Sequence, residues 1–534
     1  MSIKAALAVF AVVLSACSSD NDITENNPVN SETPVSEEMV FYASMDGGNV
    51  TRTDFNSNST IWAADDAIKI VNLATETPNN SDWVGTFNIR THSAPYTKEE
   101  VFTSTKKINV LGNDADKFFA FYPSTCKVGY TSGNRDLAEI KGTIPVEQTA
   151  VKGAYDQSLH FMTAYSTNNT FAFKNVCALI KITLKNYANV KRVRVLATPA
   201  DVDQTTNTSY IAGDFKAKIN QNDGTTTISN GITSSVEFSG NNSPYVELQL
   251  PVAGDDCVEG TFYMVVLPAS ISNGFTLFLE KTDGTIYMRA NTSKDKFERN
   301  KIYNLGEYDC SSTPTNMSLL EDYVDLGLPS GTLWCTKNVT ADSGTSATLV
   351  NSIYDAGGYF AWGDLFEKTE YSSSAYTGNS SQYKKDEYTL LYQYDVAYQI
   401  QGHLYCMPTY AQIEELYNNC TWVRSTAPNN SNNYGLLFTS NINGKTLWLP
   451  TAGYRINEDT QNGVQSETTK THYWSRSLYK VGNNTQCAYC LDFDGTSLDG
   501  HGWLSGWTIG AGSWYDRRFC GKCIRPVLNI PAFK

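Results

Sequence analysis

Between Val40 and Leu305 one pattern recurs, and it limits what the chain can fold into. Short runs alternate apolar and polar residues and end at Gly, Asn, Asp or Pro. Tyr245 to Leu250 alternates strictly and stops at Pro251, and Phe262 to Leu267 stops at Pro268. Val40 to Ser44, Ala67 to Val71, Phe118 to Tyr122, Ala178 to Leu184, Val193 to Leu196, Phe275 to Leu279 and Ile302 to Leu305 are of the same kind. Side chains of a strand point alternately to its two faces, so period two means a half-buried strand. Many such strands with turn residues between them spell β-sandwiches. No stretch here reads as a helix of three turns. The region is long for one sandwich, and the spacing predicts two in tandem, over 39–170 and 171–308, dividing near Tyr165 to Asn169.

Composition agrees and narrows the partners. The chain has 32 Tyr and 23 Phe but only 18% charged residues, the balance of an exported, strand-rich protein. A net charge of -14 argues against nucleic acid and anionic headgroups, whose phosphates would be repelled. Export permits disulfides without requiring them.

The start of the chain reads as a targeting signal. Lys4 precedes an apolar run from Ala5 to Leu14, too short to span a bilayer. The run ends in Leu14, Ser15, Ala16 and Cys17, which resembles a bacterial lipobox. That resemblance implies cleavage before Cys17 and a lipid on its sulfur. Residues 1–17 are thus expected to be signal and lipobox, the alternative being an ordinary signal peptide in which Cys17 falls by chance. Residues 18–38, rich in Ser, Asn, Asp, Glu and Thr, read as a disordered tether.

Several details after the tether point to one family. They are Met39 to Ser44, Thr51-Arg52-Thr53, Ile61-Trp62, Asp65 to Ile70, Leu248 to Pro251, Val265 to Pro268 and Phe297 to Leu305. Over residues 39–308 the chain resembles the fimbrillin-like proteins of Bacteroidetes, although Ala64-Asp65 stands where the family more often has an acidic residue and glycine. The resemblance implies two transthyretin-like sandwiches, delivery to the outer membrane as a lipoprotein, and cleavage after a basic residue that frees the first strand. A neighbouring subunit's strand then fills the groove by β-augmentation. Arg52, in the polar loop after the first strand, is either that cleavage site or an exposed loop residue.

Residues 309–320 read as a linker, and 321–534 have a different texture. Pro408-Thr409 followed by Gln412, Ile413, Leu416 and Tyr417 predicts a helix with Thr409 as its N-cap. Tyr323 to Trp334, Gly358 to Asp364, Met407 to Leu416, Leu447 to Arg455, Tyr473 to Ser477 and Ile524 to Val527 resemble, in order, the Fibrobacter-type paralogous module. That resemblance implies an α+β, C-type-lectin-like fold related to formylglycine-generating enzymes. Cys487/Cys490 and Cys520/Cys523 invite a zinc site, but their flanks read as strands, and i and i+3 on a strand face opposite ways. Core thiols or one cross-strand disulfide are expected, with no metal and no cofactor. No H-E-x-x-H, G-x-S-x-G or phosphate-binding loop occurs, and the five histidines are scattered. Asp499, His501, Trp503, Trp507, Trp514, Tyr515 and Arg517 lie among Gly and Ser without strand or helix period. They either form a ligand-binding face or fill a loop-rich core.

The expected architecture is therefore mostly β: two transthyretin-like β-sandwiches followed by an α+β C-type-lectin-like domain. The expected role is non-enzymatic. It is a fimbrial tip subunit or adhesin that joins other fimbrial subunits by strand exchange and binds a glycan or protein ligand on a host or bacterial surface. It would sit on the cell outer membrane through its lipid, or in a fimbrium after maturation. A permanently anchored receptor and an oxidase of the formylglycine-generating type are the rivals.

Overall fold

The computed structural model describes residues 38–530, leaving aside 46–61, 199–209, 231–241, 251–256, 495–514 and shorter stretches. Cys17 and Arg52 lie outside the described residues. The described chain is mostly β, as the alternation predicts, and the strands appear where it places them.

The N-terminal sheet closes on itself as a barrel. Its order is Met39–Met45, Thr170–Asn175, Met162–Ser166, Phe118–Tyr122, Ala67–Asn72, Val84–Ile89 and Glu99–Ser104. The first strand is the seam, parallel to Thr170–Asn175 and antiparallel to Glu99–Ser104. It alternates as expected: Phe41, Ala43 and Met45 are buried, while Tyr42 is exposed. The ring of Phe41 lies 4.9 Å from Phe87, 5.3 Å from Phe118 and 5.5 Å from Phe171. Trp62 fills the same core against Phe102 and Phe173.

The second unit has two facing sheets. One holds Glu259–Val266, Ala178–Lys185 and Ile302–Asp309. The other runs Ser318–Leu319, Ile286–Asn291, Phe275–Lys281, Val190–Ala197, Tyr245–Gln249, Glu147–Thr149. Ile180, Ile182, Val193, Val195, Leu248 and Met264 meet between them. Strand pairing does not break at residue 170: Ala138–Ile144 pairs with Gly213–Ile219, and Glu147–Thr149 with Tyr245–Gln249. The chain thus leaves the barrel, adds strands to the second unit, and returns. Val71, Phe119 and Phe121 of the barrel pack on Ile140, Phe215 and Ala217 of that shared layer. Gln148 donates through Nε2 to Val265 O at 2.7 Å and accepts from Val265 N at 2.8 Å. Its amide thereby satisfies the edge-facing backbone of Val265, on the edge strand Glu259–Val266.

Residues 309–320, read from composition as a linker, are built into the fold. Cys310, Met317 and Leu320 are buried, and Ser318–Leu319 pairs with Tyr287 and Met288. Three apolar anchors outweigh the polar residues between them. Beyond this strap, Leu196, Phe278 and Ile286 of the second unit pack with Leu333, Leu404 and Leu528 of the C-terminal unit. Arg192, Arg194, Glu247 and Glu280 lie buried on the same sheet. Glu247 accepts from Arg192 Nη1 at 3.0 Å, from Arg194 Nε at 3.0 Å and Nη2 at 2.7 Å, and from Gln249 Nε2 at 2.7 Å. Arg192 Nε also reaches Glu280 Oε2 at 2.6 Å.

Among the described residues, the one α-helix, α1, Tyr410–Asn419, lies in the C-terminal unit. Its cap is as the sequence predicts: Gln412 N donates to Thr409 Oγ1 and Thr409 N to Gln412 Oε1, a reciprocal capping box. Ile413 and Leu416 are buried and Tyr417 is partly so. Trp334, Trp362 and Trp474 are buried, the last two donating Nε1 to Ser475 O and Phe360 O. Tryptophan also demands glycine: a Cβ on Gly435 would lie 2.4 Å from the Trp448 ring. Val527–Leu528 is an inner strand, flanked by Leu333–Cys335 and Tyr405–Cys406.

Candidate functional site: a tyrosine strip and the seat of the first strand

The site builds up from two long strands, Lys470–Val481 and Asn484–Asp494, which pair antiparallel. Tyr515–Arg517 adds to their edge, with Tyr515 opposite Tyr489 and Arg517 opposite Cys487. The sequence therefore leaves this sheet at Asp494 and re-enters it at Tyr515. Asp499, His501, Trp503, Trp507 and Trp514 fall in the stretch between, outside the described residues. Of the seven residues expected to bind ligand, Tyr515 and Arg517 are placed on this sheet, and Arg517 is exposed.

The next residue explains why that short strand holds. Arg518 is buried, and its guanidinium stacks 4.7 Å from Trp362 and 5.2 Å from Tyr376. Its side chain donates to Gln382 Oε1 and Thr485 O, and its backbone N donates to Gln486 O at 3.0 Å. A cation held between aromatic faces is an anchor as well as a charge.

Three tyrosines complete the surface, and sequence reasoning missed them because they are far apart in the chain. Tyr410 opens α1, and its backbone N donates to Ser477 Oγ at 3.0 Å. Its ring lies 4.2 Å from Tyr489, tilted by 42°. Tyr479 meets Tyr489 at 5.2 Å, nearly perpendicular at 85°. All three are partly exposed, as is Glu414 one turn along α1. Burial raises the pKa of Tyr410 and Tyr489, and the charge of Glu414 adds to both shifts. The start of α1 is fixed from below. Asp395, fully buried, accepts from the backbone N of Ala397 at 3.0 Å and of Met407 at 2.9 Å. Arg476 donates from Nη2 to Leu390 O at 2.7 Å and stacks on Tyr392.

The same sheets gather a polar group inside the unit. Lys522 Nζ donates to His472 Nδ1 at 3.1 Å, and Asp492 Oδ1 lies 3.3 Å from that nitrogen. Lys522 and His472 are buried, and Lys522 sits over Trp474 and Tyr454, so the cluster acts as an internal post. Cys487, Cys490, Cys520 and Cys523 are all buried. Among the described residues, no three of His, Cys, Asp or Glu converge as metal ligands would. Burial pushes the Cys335 thiol up to about 11, Cys406 to about 12 and Cys420 to about 11. A nucleophilic cysteine needs the opposite shift, toward thiolate.

In the N-terminal barrel, a cleft of about 320 Å³ lies along the first strand. Tyr42, Ala43, Ser44, Glu99, Val101 and Thr170 line it, together with Glu100. Glu100 Oε2 is 2.8 Å from His92 Nε2. Hydrogen bonding to Ser93 O and Glu100 raises the pKa of His92. Among the described residues, no helix is long and apolar enough to cross a membrane.

No family model matches the chain, and no curated protein does. Solved structures resemble part of it. A candidate cell adhesion protein from Bacteroides ovatus shares 15% identity, covering 53% of this chain and 96% of its own, with a TM-score of 0.31. A second, from Bacteroides uniformis, shares 17% over 54% and 98%, with a TM-score of 0.30. The C-terminally truncated tip fimbrial protein Mfa3 from Porphyromonas gingivalis shares 9% over 53% and 97%, with a TM-score of 0.25. These are proteins that about half of the chain is similar to, and the functional reading rests on the chain's own geometry.

Proposed function

We propose that the chain is a cell-surface adhesin of the fimbrial-tip kind. It is carried to the outer membrane by a lipid on Cys17, matured by a cut after Arg52, and joined to other fimbrial subunits by strand exchange. Its lectin-like C-terminal unit meets a glycan or protein ligand through Tyr515, Arg517 and the 495–514 stretch.

The observation that carries this reading is the seat of the first strand. Met39–Met45 is hydrogen-bonded on both sides and plugs the barrel with Phe41, Ala43 and Met45. The residues that follow it, 46–61, include Arg52. A cut there severs the plug from the rest of the barrel. Its departure would expose two ladders of backbone groups and a row of apolar pockets, which is what an incoming strand requires. Burying a phenylalanine in such a pocket contributes about 2–3 kcal/mol. The strand Val527–Leu528 is held between two others, so it is not offered to a neighbour.

The rival is a permanently anchored receptor. It is favoured by the closure of the uncut barrel, which needs no partner strand. N-terminal sequencing of protein released from the cell surface separates the two. A start at residue 53, with copurification of fimbrial subunits, is expected; a chain that keeps residues 18–52 and never copurifies with fimbriae sinks the tip reading.

A further inference from the structure

We propose that Glu414, Tyr410, Tyr479 and Tyr489 form a recognition site for a cationic group, an alkylammonium or guanidinium displayed by the ligand of the C-terminal unit. The inference rests on the adhesive reading and names the chemistry that reading leaves open.

The rings supply the first half of such a site. Tyr479 and Tyr489 meet at 85°, making a corner, and Tyr410 packs on Tyr489 at 4.2 Å. Tyrosine faces carry negative potential, and cations settle within about 6 Å of ring centroids. Glu414 supplies the second half. It stands four residues after Tyr410, on the same side of α1, and its charge bears on both Tyr410 and Tyr489. Its neighbour Glu415 is occupied, accepting from Ser330 N at 2.6 Å and from Ser330 Oγ. Glu414 meets the Tyr410 side chain instead, and among the described residues no Lys, Arg or His comes within ion-pair distance of it. A partly buried carboxylate beside aromatic faces, with no cation paired to it among the described residues, is the complement of a positive ligand group. The surface is also preorganised. The capping box and the Tyr410 N to Ser477 Oγ bond fix the helix start, so little side-chain freedom is lost on binding.

The full chain is titrated by calorimetry with choline, Nα-acetyl-lysine amide and Nα-acetyl-arginine amide. The control is 3,3-dimethyl-1-butanol, the neutral isostere of choline. At least one cation is expected to saturate with a millimolar Kd, and the isostere to bind about tenfold more weakly or worse. Glu414→Gln, which preserves shape and helix propensity, and Tyr489→Ala should each weaken cation binding about tenfold or more. Three results overturn the proposal: no saturation by any cation up to about 0.1 M, equal affinity for the neutral isostere, or unchanged affinity in Glu414→Gln with an unaltered thermal transition. If Glu414→Gln loses the probes yet still captures the surface that the wild-type chain captures, the adhesive reading stands and this inference falls.

Discussion

Phe41 offers the sharpest test of how the first strand is held. Its side chain is 1% exposed and ringed by Phe87, Phe118 and Phe171. Phe41→Ala removes the ring from a pocket whose other walls are themselves aromatic and cannot easily collapse. Substitutions of this kind cost about 3–5 kcal/mol. The next residue is the control. Tyr42 is on the same strand but 49% exposed, so Tyr42→Ala should cost about 1 kcal/mol or less. Native-state hydrogen exchange on the two flanking strands, Thr170–Asn175 and Glu99–Ser104, reads out the seat itself. Protection there should fall by about two to four orders of magnitude in Phe41→Ala. The same difference should appear in trans: in protein cut within 46–61, a peptide of residues 39–45 should rebind about a hundredfold or more better than its Phe41→Ala version. A loss below about 1 kcal/mol, or equal losses for the two substitutions, refutes the idea that the apolar face of this strand holds it.

Three further outcomes follow from other places in the fold. Glu247→Ala leaves Arg194 buried without its carboxylate and should lower stability by about 3–5 kcal/mol, whereas the pair Arg194→Met with Glu247→Leu should recover most of that in urea unfolding. His160, buried and bonded to Asn175 Oδ1 at 2.7 Å, has its pKa lowered by burial from 6.5 to about 4. The unfolded chain therefore binds the proton more readily: the stability is whole above pH about 6.5 and lost as the pH falls toward 4, by about 3 kcal/mol. His160→Gln should flatten that part of the pH–stability curve. Thr409→Ala removes the capping box and should destabilise the C-terminal unit by about 1 kcal/mol, with exchange rising first at the amides of Tyr410 to Gln412.

What could be read in advance was local. Ala178–Lys185 alternates in the sequence and in burial, because each side chain on that strand meets the face its parity assigns. Thr409 announced α1 because an N-cap and the apolar face it precedes lie within a few residues of each other; the structure adds Gln412 as the second half of a capping box. What could not be read was set by distant partners. Arg192 and Arg194 alternate with valines and look like a solvated face, yet the C-terminal unit packs on that sheet and they end up 3% and 1% exposed. Strand pairing across residue 170 depends on partners some seventy residues apart, which periodicity does not encode. The polar composition of 309–320 hid Cys310, Met317 and Leu320 as anchors. At the site, Tyr515 and Arg517 drew notice for their surroundings in sequence. Tyr410, Tyr479 and Tyr489 lay inside a helix start and two strands, and only the pairing of those strands brings them together.

The strap from Cys310 to Leu320 has one more effect. Because Ser318–Leu319 is stitched to Tyr287 and Met288, and Leu320 N donates to Ile286 O, the C-terminal unit has no swivel at its base. Its bearing on the second unit is set when the chain folds, not when a ligand arrives. A flexibly hung unit would surrender orientational freedom on capturing a ligand, and under the proposed adhesive reading this one would have little left to lose. The tyrosine strip is thus carried on a unit paired directly to the second unit. A pull on the strip would pass into the second sheet through paired strands rather than through slack.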